Sequence, residues 1–282
     1  MKIDKAPAMA LLILTMIPSG TSAQERPWDF LRDRGTGVPT SLFGTYVKKG
    51  ELLIYPFYEY AKASQDEYHG SELGFSGDID YLGESEGHEA VLFLAYGVTD
   101  DLAVELEGEV FVTQTLERAP EDTTTGMPPK LEESGLGDVE AQVRWRFSRE
   151  TETRPELFTN LEVALPLQKE KVLIGASDWE FAVGVGAIKG FRWGTLTSRF
   201  SVGYDGEEEE VKLGEYAIEY LKRLSKGWRW VTAIEGEDDE MSLVLEAQWH
   251  VSPHVYCKFN SGFGLSSKAE DFAPEIGVMF SF

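Results

Sequence analysis

The chain has one cysteine, four histidines and few basic residues, and no apolar run as long as a membrane-spanning helix. The single cysteine, Cys257, rules out an internal disulfide framework and reads as a small apolar residue on a strand. A spanning helix needs about 20 apolar residues. No stretch of that kind exists, which excludes a helical membrane protein and leaves a secreted soluble β protein or a membrane barrel. The 26 Lys and Arg face 49 Asp and Glu, a net charge of −23. Nucleic-acid binding requires a basic face, so nucleic acid is excluded as a partner. His69, His88, His250 and His254 show no metal-ligand spacing, and the sequence implies no metal or cofactor. The run Glu207–Glu210 reads as solvated loop charge, with divalent-cation binding near lipopolysaccharide as the alternative.

The first residues have the composition of a secretory signal peptide over 1–23. Lys2 and Lys5 precede the apolar run Ala8–Pro18, and small residues Thr21-Ser22-Ala23 precede Gln24, where cleavage is expected. No cysteine follows the cleavage site, so a lipoprotein is not expected. Loss of Lys2, Lys5 and Asp4 takes 26 basic and 49 acidic residues to 24 and 48, or −24. Residues 24–50 read as a periplasmic lead-in. Its Trp28 and Phe30 either cover the lower rim of the domain that follows or tuck into its mouth.

From Glu51 onwards the pattern has a period of two, the mark of strands with one apolar and one polar face. The last stretch, FAPEIGVMFSF, sets Ile276, Val278, Phe280 and Phe282 against Glu275, Gly277, Met279 and Ser281. In Leu102–Gln114, the residues Leu102, Val104, Leu106, Val110 and Val112 oppose Glu105, Glu107 and Glu109. In Gly135–Phe147, Val139, Ala141, Val143, Trp145 and Phe147 oppose Asp138, Glu140, Gln142, Arg144 and Arg146. Glu162 faces inward on Glu156–Pro166, and Arg199 faces inward on Thr195–Tyr204. Asp178–Lys189 has an almost bare inner face of Ala182, Gly184 and Gly186. Pro56, which cannot donate to a ladder, predicts a bulge or weak pairing in the first strand. Ala63–His88 reads as a large outer loop or a hairpin extension, and Thr115–Ser134 as a loop.

About twelve strands of the length a tilted membrane strand needs follow from this count. Tight turns near Thr99, Ser148, Gly190, Lys226 and Ser252 alternate with more variable connections near Ala63, Thr115, Leu167, Glu207 and Ser267. That asymmetry fits an all-β, antiparallel up-and-down barrel of the outer membrane of a Gram-negative bacterium. Trp145, Trp193, Trp228, Trp230, Trp249 and Phe282 all fall at periplasmic strand ends, while Trp179 and Tyr204 fall at the opposite ends. This is an aromatic girdle. The partners implied are outer-membrane lipid and lipopolysaccharide, the barrel-assembly machinery acting through the closing strand, and a small-molecule solute.

The predicted lumen network consists of Glu105, Glu107, Asp138, Arg144, Arg146, Glu162 and Arg199. It reads either as a charged constriction that filters solutes or as a salt-bridged filling that holds the barrel's shape. An apolar stripe of Leu53, Tyr55, Phe57, Val91 and Phe93 faces the lumen too. It is either a track for small aromatic or aliphatic solutes or a seat for Trp28 and Phe30. An enzyme is not expected. The histidines form no nucleophile–base pair, and nothing resembles the His-x-Ser-Asn-Gly signature of outer-membrane phospholipases.

The segments KKGELLIYPFYEY, AYGVTDDLAVELEGEV, GLGDVEAQVRWRF and LEVALPL resemble the outer-membrane proteins grouped with the meta-pathway of phenol degradation. The resemblance runs loosely from Gly50 to Phe282. It is sharpest at Tyr96-Gly97 and at Gly135-Leu136-Gly137-Asp138. It implies a barrel of about twelve strands and uptake of small, often aromatic compounds, and it supplies no catalytic residues. Where that family often has Thr-Gly after the strand ending at Pro166, this chain has Leu167-Gln168-Lys169. The expectation is a channel for passive passage of small solutes. The alternative is a closed structural barrel that acts through its outer loops.

Overall fold

The computed structural model describes residues 32–71, 73–77, 79–206, 210–238 and 240–282. The expected signal segment 1–23, Trp28, Phe30 and Glu207–Glu209 lie outside the described residues. Two short strands, β1 (Val38–Pro39) and β2 (Tyr46–Val47), pair with each other apart from the main sheet. The main sheet follows in chain order: β3 (Leu52–His69), β4 (Asp80–Gly97), β5 (Leu102–Arg118), β6 (Lys130–Gly135), β7 (Val139–Ser148), β8 (Glu156–Ala164) and β9 (Glu180–Phe191). It continues through β10 (Gly194–Asp205), β11 (Glu210–Arg223), β12 (Trp228–Glu237), β13 (Glu240–Ser252), β14 (Val255–Gly264) and β15 (Ala273–Ser281).

Every neighbouring pair is antiparallel, β15 pairs with β3, and β4 pairs with β5, so the sheet closes on itself. It has thirteen segments, but β6 and β7 both lie along β5 and are two halves of one interrupted strand, so the barrel has twelve strands. Closure leaves no unpaired edge, the condition for crossing a bilayer with strands. The outer face carries an apolar band with no protein over it: Val183 and Val185 are each 55% exposed, and Ile218 is 65% exposed. Leu161, Val143, Ile234 and Ile276 extend the band around the wall. A patch of this extent is foreign to a soluble surface and fits lipid.

The interruption between β6 and β7 has a local cause. A Cβ at Gly137 would overlap the Glu109 carboxylate, so glycine lets the chain cross close over β5. There the Asp138 amide donates to Glu109 Oε2 and the Glu109 amide to the Asp138 carbonyl, both at 2.9 Å. A bulge at Val110, between the pairs Ala90–Phe111 and Val91–Glu109, resets the facing of β5. Val112, expected on the outer face, is therefore buried inside at 2% exposure.

Two expected loops are mostly strand. β3 and β4 stay paired from Tyr96 at the base to the His69–Asp80 pair, so Ala63–His88 is a hairpin extension with its tip at 70–79. β5 runs on to Arg118 and pairs with β6, which shrinks the loop expected over Thr115–Ser134 to 119–129. Pro56 makes no bulge. It sits opposite Leu92 in an unbroken β3–β4 register, but the β15–β3 ladder pauses between Phe57–Gly277 and Ile54–Phe280, where proline has no amide to give.

Candidate functional site: a plugged lumen with an acidic outer chamber

The segment 33–47 is folded into the barrel, with Arg32, Lys48 and Lys49 exposed at its ends. β1 and β2 form a small hairpin whose Val38 and Val47 are fully buried. They pack into one cluster with Leu53, Tyr55, Phe57, Val91, Phe93 and Met279. The apolar stripe on the wall is thus a seat for the lead-in, and the residues seated are Val38, Val47 and Leu42.

Polar contacts fix the hairpin all round. The Arg34 guanidinium lies 3.0 Å from Glu150 and 3.1 Å from Glu156, with all three side chains buried. Asp33 accepts from the Arg223 amide at 3.0 Å and lies 3.5 Å from Lys222 Nζ. Deeper in, the Ser41 amide and hydroxyl donate to Glu105 Oε2 at 2.9 and 2.7 Å. Arg199 donates to the Ser41 carbonyl at 2.7 Å and stacks 4.7 Å from the Phe43 ring. Gln248 donates to the Phe43 carbonyl at 3.2 Å. The contacts come from strands all around the barrel, so the hairpin fills the section rather than lining one side.

The seven lumen residues predicted from sequence do not form one ring. Glu105 and Arg144 meet at 3.4 Å, with Arg144 also donating to Gln142 at 3.0 Å. Gln142 in turn donates to Glu162. Arg146 turns to the inner rim instead, to Asp101 at 3.1 Å, Glu156 at 3.3 Å and the Gly37 carbonyl. Asp138 sits in the strand interruption and accepts from the Ala176 amide at 2.5 Å, pinning the loop over 165–179. Arg199 reaches the hairpin and lies 3.9 Å from Glu235. Glu107 forms no ion pair among the described residues and stands opposite Glu140.

Residues the sequence reading did not single out complete the wall. Glu246, Gln248 and Lys258 are buried, with Lys258 Nζ 3.0 Å from Glu246 and 5.3 Å above the Tyr55 ring. Tyr55 donates to Glu275. The bare inner face of β9 is also occupied, because Gly186 receives the Phe158 ring where any Cβ would overlap it. Above the hairpin tip remains a chamber of about 300 Å³. Its floor is Ser41, Leu42 and Phe43, and Glu270 of the loop over 265–272 stands on its wall. Ten glutamates line it, against two cationic side chains, Arg199 and Lys258.

Outside the lumen, aromatic side chains gather at the strand ends. Trp228 and Trp249 stack at 5.9 Å, Phe191 and Trp193 at 4.8 Å, and Trp145 lies 5.8 Å from Phe147, all near the short turns. Trp230 is half-buried and donates to Thr232 at 2.8 Å, while Phe282 is exposed. Trp179 and Phe181 stack at the other end.

A closed twelve-strand barrel with an apolar outer band, girdled ends and a polar interior is an outer-membrane β-barrel. Comparison with solved structures agrees on the fold. The chain is similar to an outer membrane channel from Pseudomonas putida F1, with 12% identity over 86% of this chain and 99% of that one, at a TM-score of 0.58. A looser likeness, at a TM-score of 0.45 and 8% identity, is to the toluene transporter of Ralstonia pickettii, covering 89% of this chain and 99% of that one. No protein-family model matches the chain, and no curated protein matches it.

Proposed function

We propose that this barrel is a channel through which small solutes diffuse across the outer membrane once the hairpin of residues 32–50 leaves its seat. One observation carries the reading. The lumen is wide enough to hold a whole β-hairpin and still keep a chamber of about 300 Å³ beyond it, the lower end of the size range for small-molecule sites. A barrel whose own side chains filled it would have room for neither. The resemblance to the phenol meta-pathway proteins, together with the Phe43 ring at the chamber floor, supports small solutes with an aromatic or hydrophobic part.

A closed barrel acting through its outer end is the second reading. It is favoured by the buried ion pairs that hold the hairpin, and by the packed cluster of Tyr68, Leu73, Tyr81, Leu116 and Met127 beyond the wall. Swelling of proteoliposomes in small neutral solutes separates the two. Protein lacking residues 32–49 is expected to admit phenol-sized solutes several times faster than the full mature chain. Equal impermeability of both would contradict the channel and leave the closed barrel.

A further inference from the structure

We propose that the outer chamber binds small organic cations, protonated amines on a short apolar body, and that these are the solutes the channel admits. The second half of that statement rests on the channel reading above. The first half stands on the chamber itself.

The chamber's two cations are already committed. Lys258 is held by Glu246 at 3.0 Å. Arg199 is shared between Glu235 at 3.9 Å and the Ser41 carbonyl at 2.7 Å. Among the described residues, Glu59, Glu107, Glu140 and Glu215 on the same wall form no ion pair, and no basic group is left for them.

Strand register makes this surplus costly. Glu59 lies directly opposite Glu275 on one side and Glu89 on the other, and Glu107 lies directly opposite Glu140. Cross-strand neighbours on one face stand about 5 Å apart, and like charges there repel. A cation held between them removes that repulsion.

Glu105 on the same wall is paired only loosely, with Arg144 at 3.4 Å. It is 6% exposed and stands on the chamber wall. Its Oε2 holds Ser41, but its Oε1 accepts no hydrogen bond. The nearest cationic atom, Arg144 Nε, is 3.4 Å away and donates to Gln142 instead. Buried acceptors are normally satisfied.

The ligand's chemistry follows from how the carboxylates are arranged. Among the described residues no group of three or more His, Cys, Asp or Glu side chains converges as a metal site. The acids are spread over a wall, with Leu42 and Phe43 as an apolar floor. An ammonium group offers three donors to such a wall, and a short hydrocarbon or aromatic body covers the floor.

The test is equilibrium binding to the full mature protein in detergent, using three probes of one size: phenethylamine, 2-phenylethanol and phenylacetate. Phenethylamine is expected to bind about tenfold or more tighter than the neutral alcohol, with phenylacetate weaker still. The preference should shrink in 1 M salt, where the screening length falls to about 3 Å. Joint replacement Glu59→Gln, Glu107→Gln and Glu140→Gln should weaken the amine about tenfold and leave the alcohol unchanged, the alcohol reporting that the chamber is intact. Equal affinity for amine and alcohol, tighter binding of phenylacetate, no binding of any probe, or no effect of the triple replacement would each overturn the proposal. Amine binding without solute passage would remove the channel and keep the site. Passage without amine preference would do the reverse.

Discussion

At the inner end of the lumen three buried carboxylates at the foot of the hairpin meet cations. Glu150 has Arg34 and Lys189, Glu156 has Arg34 and Arg146, and Asp33 has Lys222. At the outer end ten glutamates line a chamber whose wall holds two cations, and of the ten only Glu105 reaches a third, Arg144. The same barrel, with the same alternation, thus spends its charge in two ways. Matched charges at the inner end hold a piece of the protein's own chain in place. Unmatched charges at the outer end leave a place for something that is not protein. A change of one charge should therefore act with opposite sign in the two halves.

The largest expected effect is at the matched end. Arg34→Ala leaves Glu150 and Glu156 buried side by side without their shared cation. Breaking a buried pair in this way costs about 3–5 kcal/mol, and the cost falls on the seated state of the hairpin. Limited proteolysis should then cut residues 32–50 in the variant and spare them in the parent, while the barrel keeps its heat-modifiable migration on gels. Protection equal to the parent's would mean that Arg34 does not hold the hairpin.

Between the two halves, Gly186→Leu drives a side chain into the space of the Phe158 ring. Overpacking of this kind costs about 1–3 kcal/mol and should lower the urea midpoint of unfolding in lipid vesicles. An unchanged midpoint would show that Phe158 moves aside freely.

At the unmatched end the sign reverses. Glu107→Lys puts a cation opposite Glu140 and should raise stability by about 0.2–1 kcal/mol in the same urea titration. A loss of stability there would mean that the acid surplus is not repulsive.

The smallest effect belongs to the inner turn. Hydrogen bonds from Arg149, and then from Arg146, hold the Asp101 carboxyl below its usual range. A depressed carboxyl contributes stability that is present above its unfolded pKa and lost as pH falls through the folded one. Asp101→Asn should therefore flatten the acid limb of the stability–pH curve below about pH 4 and change little at pH 7. An identical acid limb in parent and variant would remove Asp101 from that account.

Much of the wall was legible because one physical rule, alternation, writes it. Val143, Trp145 and Phe147 are exposed and Gln142 and Arg144 buried, as a period of two requires. The rule fails where an extra residue enters. The bulge at Val110 flips Val112 inward, and β5 runs on through Thr115 and Glu117, the start of the stretch that looks like a loop. The hairpin in the lumen left almost no local signal. β1 and β2 are two residues each, and Glu105, Glu150, Arg199 and Gln248, which hold Ser41, Arg34 and Phe43 around them, are spread over the chain. Inward-facing glutamates could be read as lumen residues one strand at a time. That Glu107 faces Glu140 rather than an arginine depends on register between strands, which spacing within a strand does not contain. Arg146 shows the same limit, since its partners Asp101, Glu156 and Gly37 come from three separate segments.

In the proposed channel the hairpin is the barrier and the acidic chamber the filter behind it. Single-channel recording in a planar bilayer under a salt gradient tests both at once, on the full mature chain and on protein lacking residues 32–49. The account predicts rare or no openings in the full chain, and steady steps with a cation-selective reversal potential after the deletion. Steady steps of the same size in both proteins, or an anion-selective potential after the deletion, would contradict it.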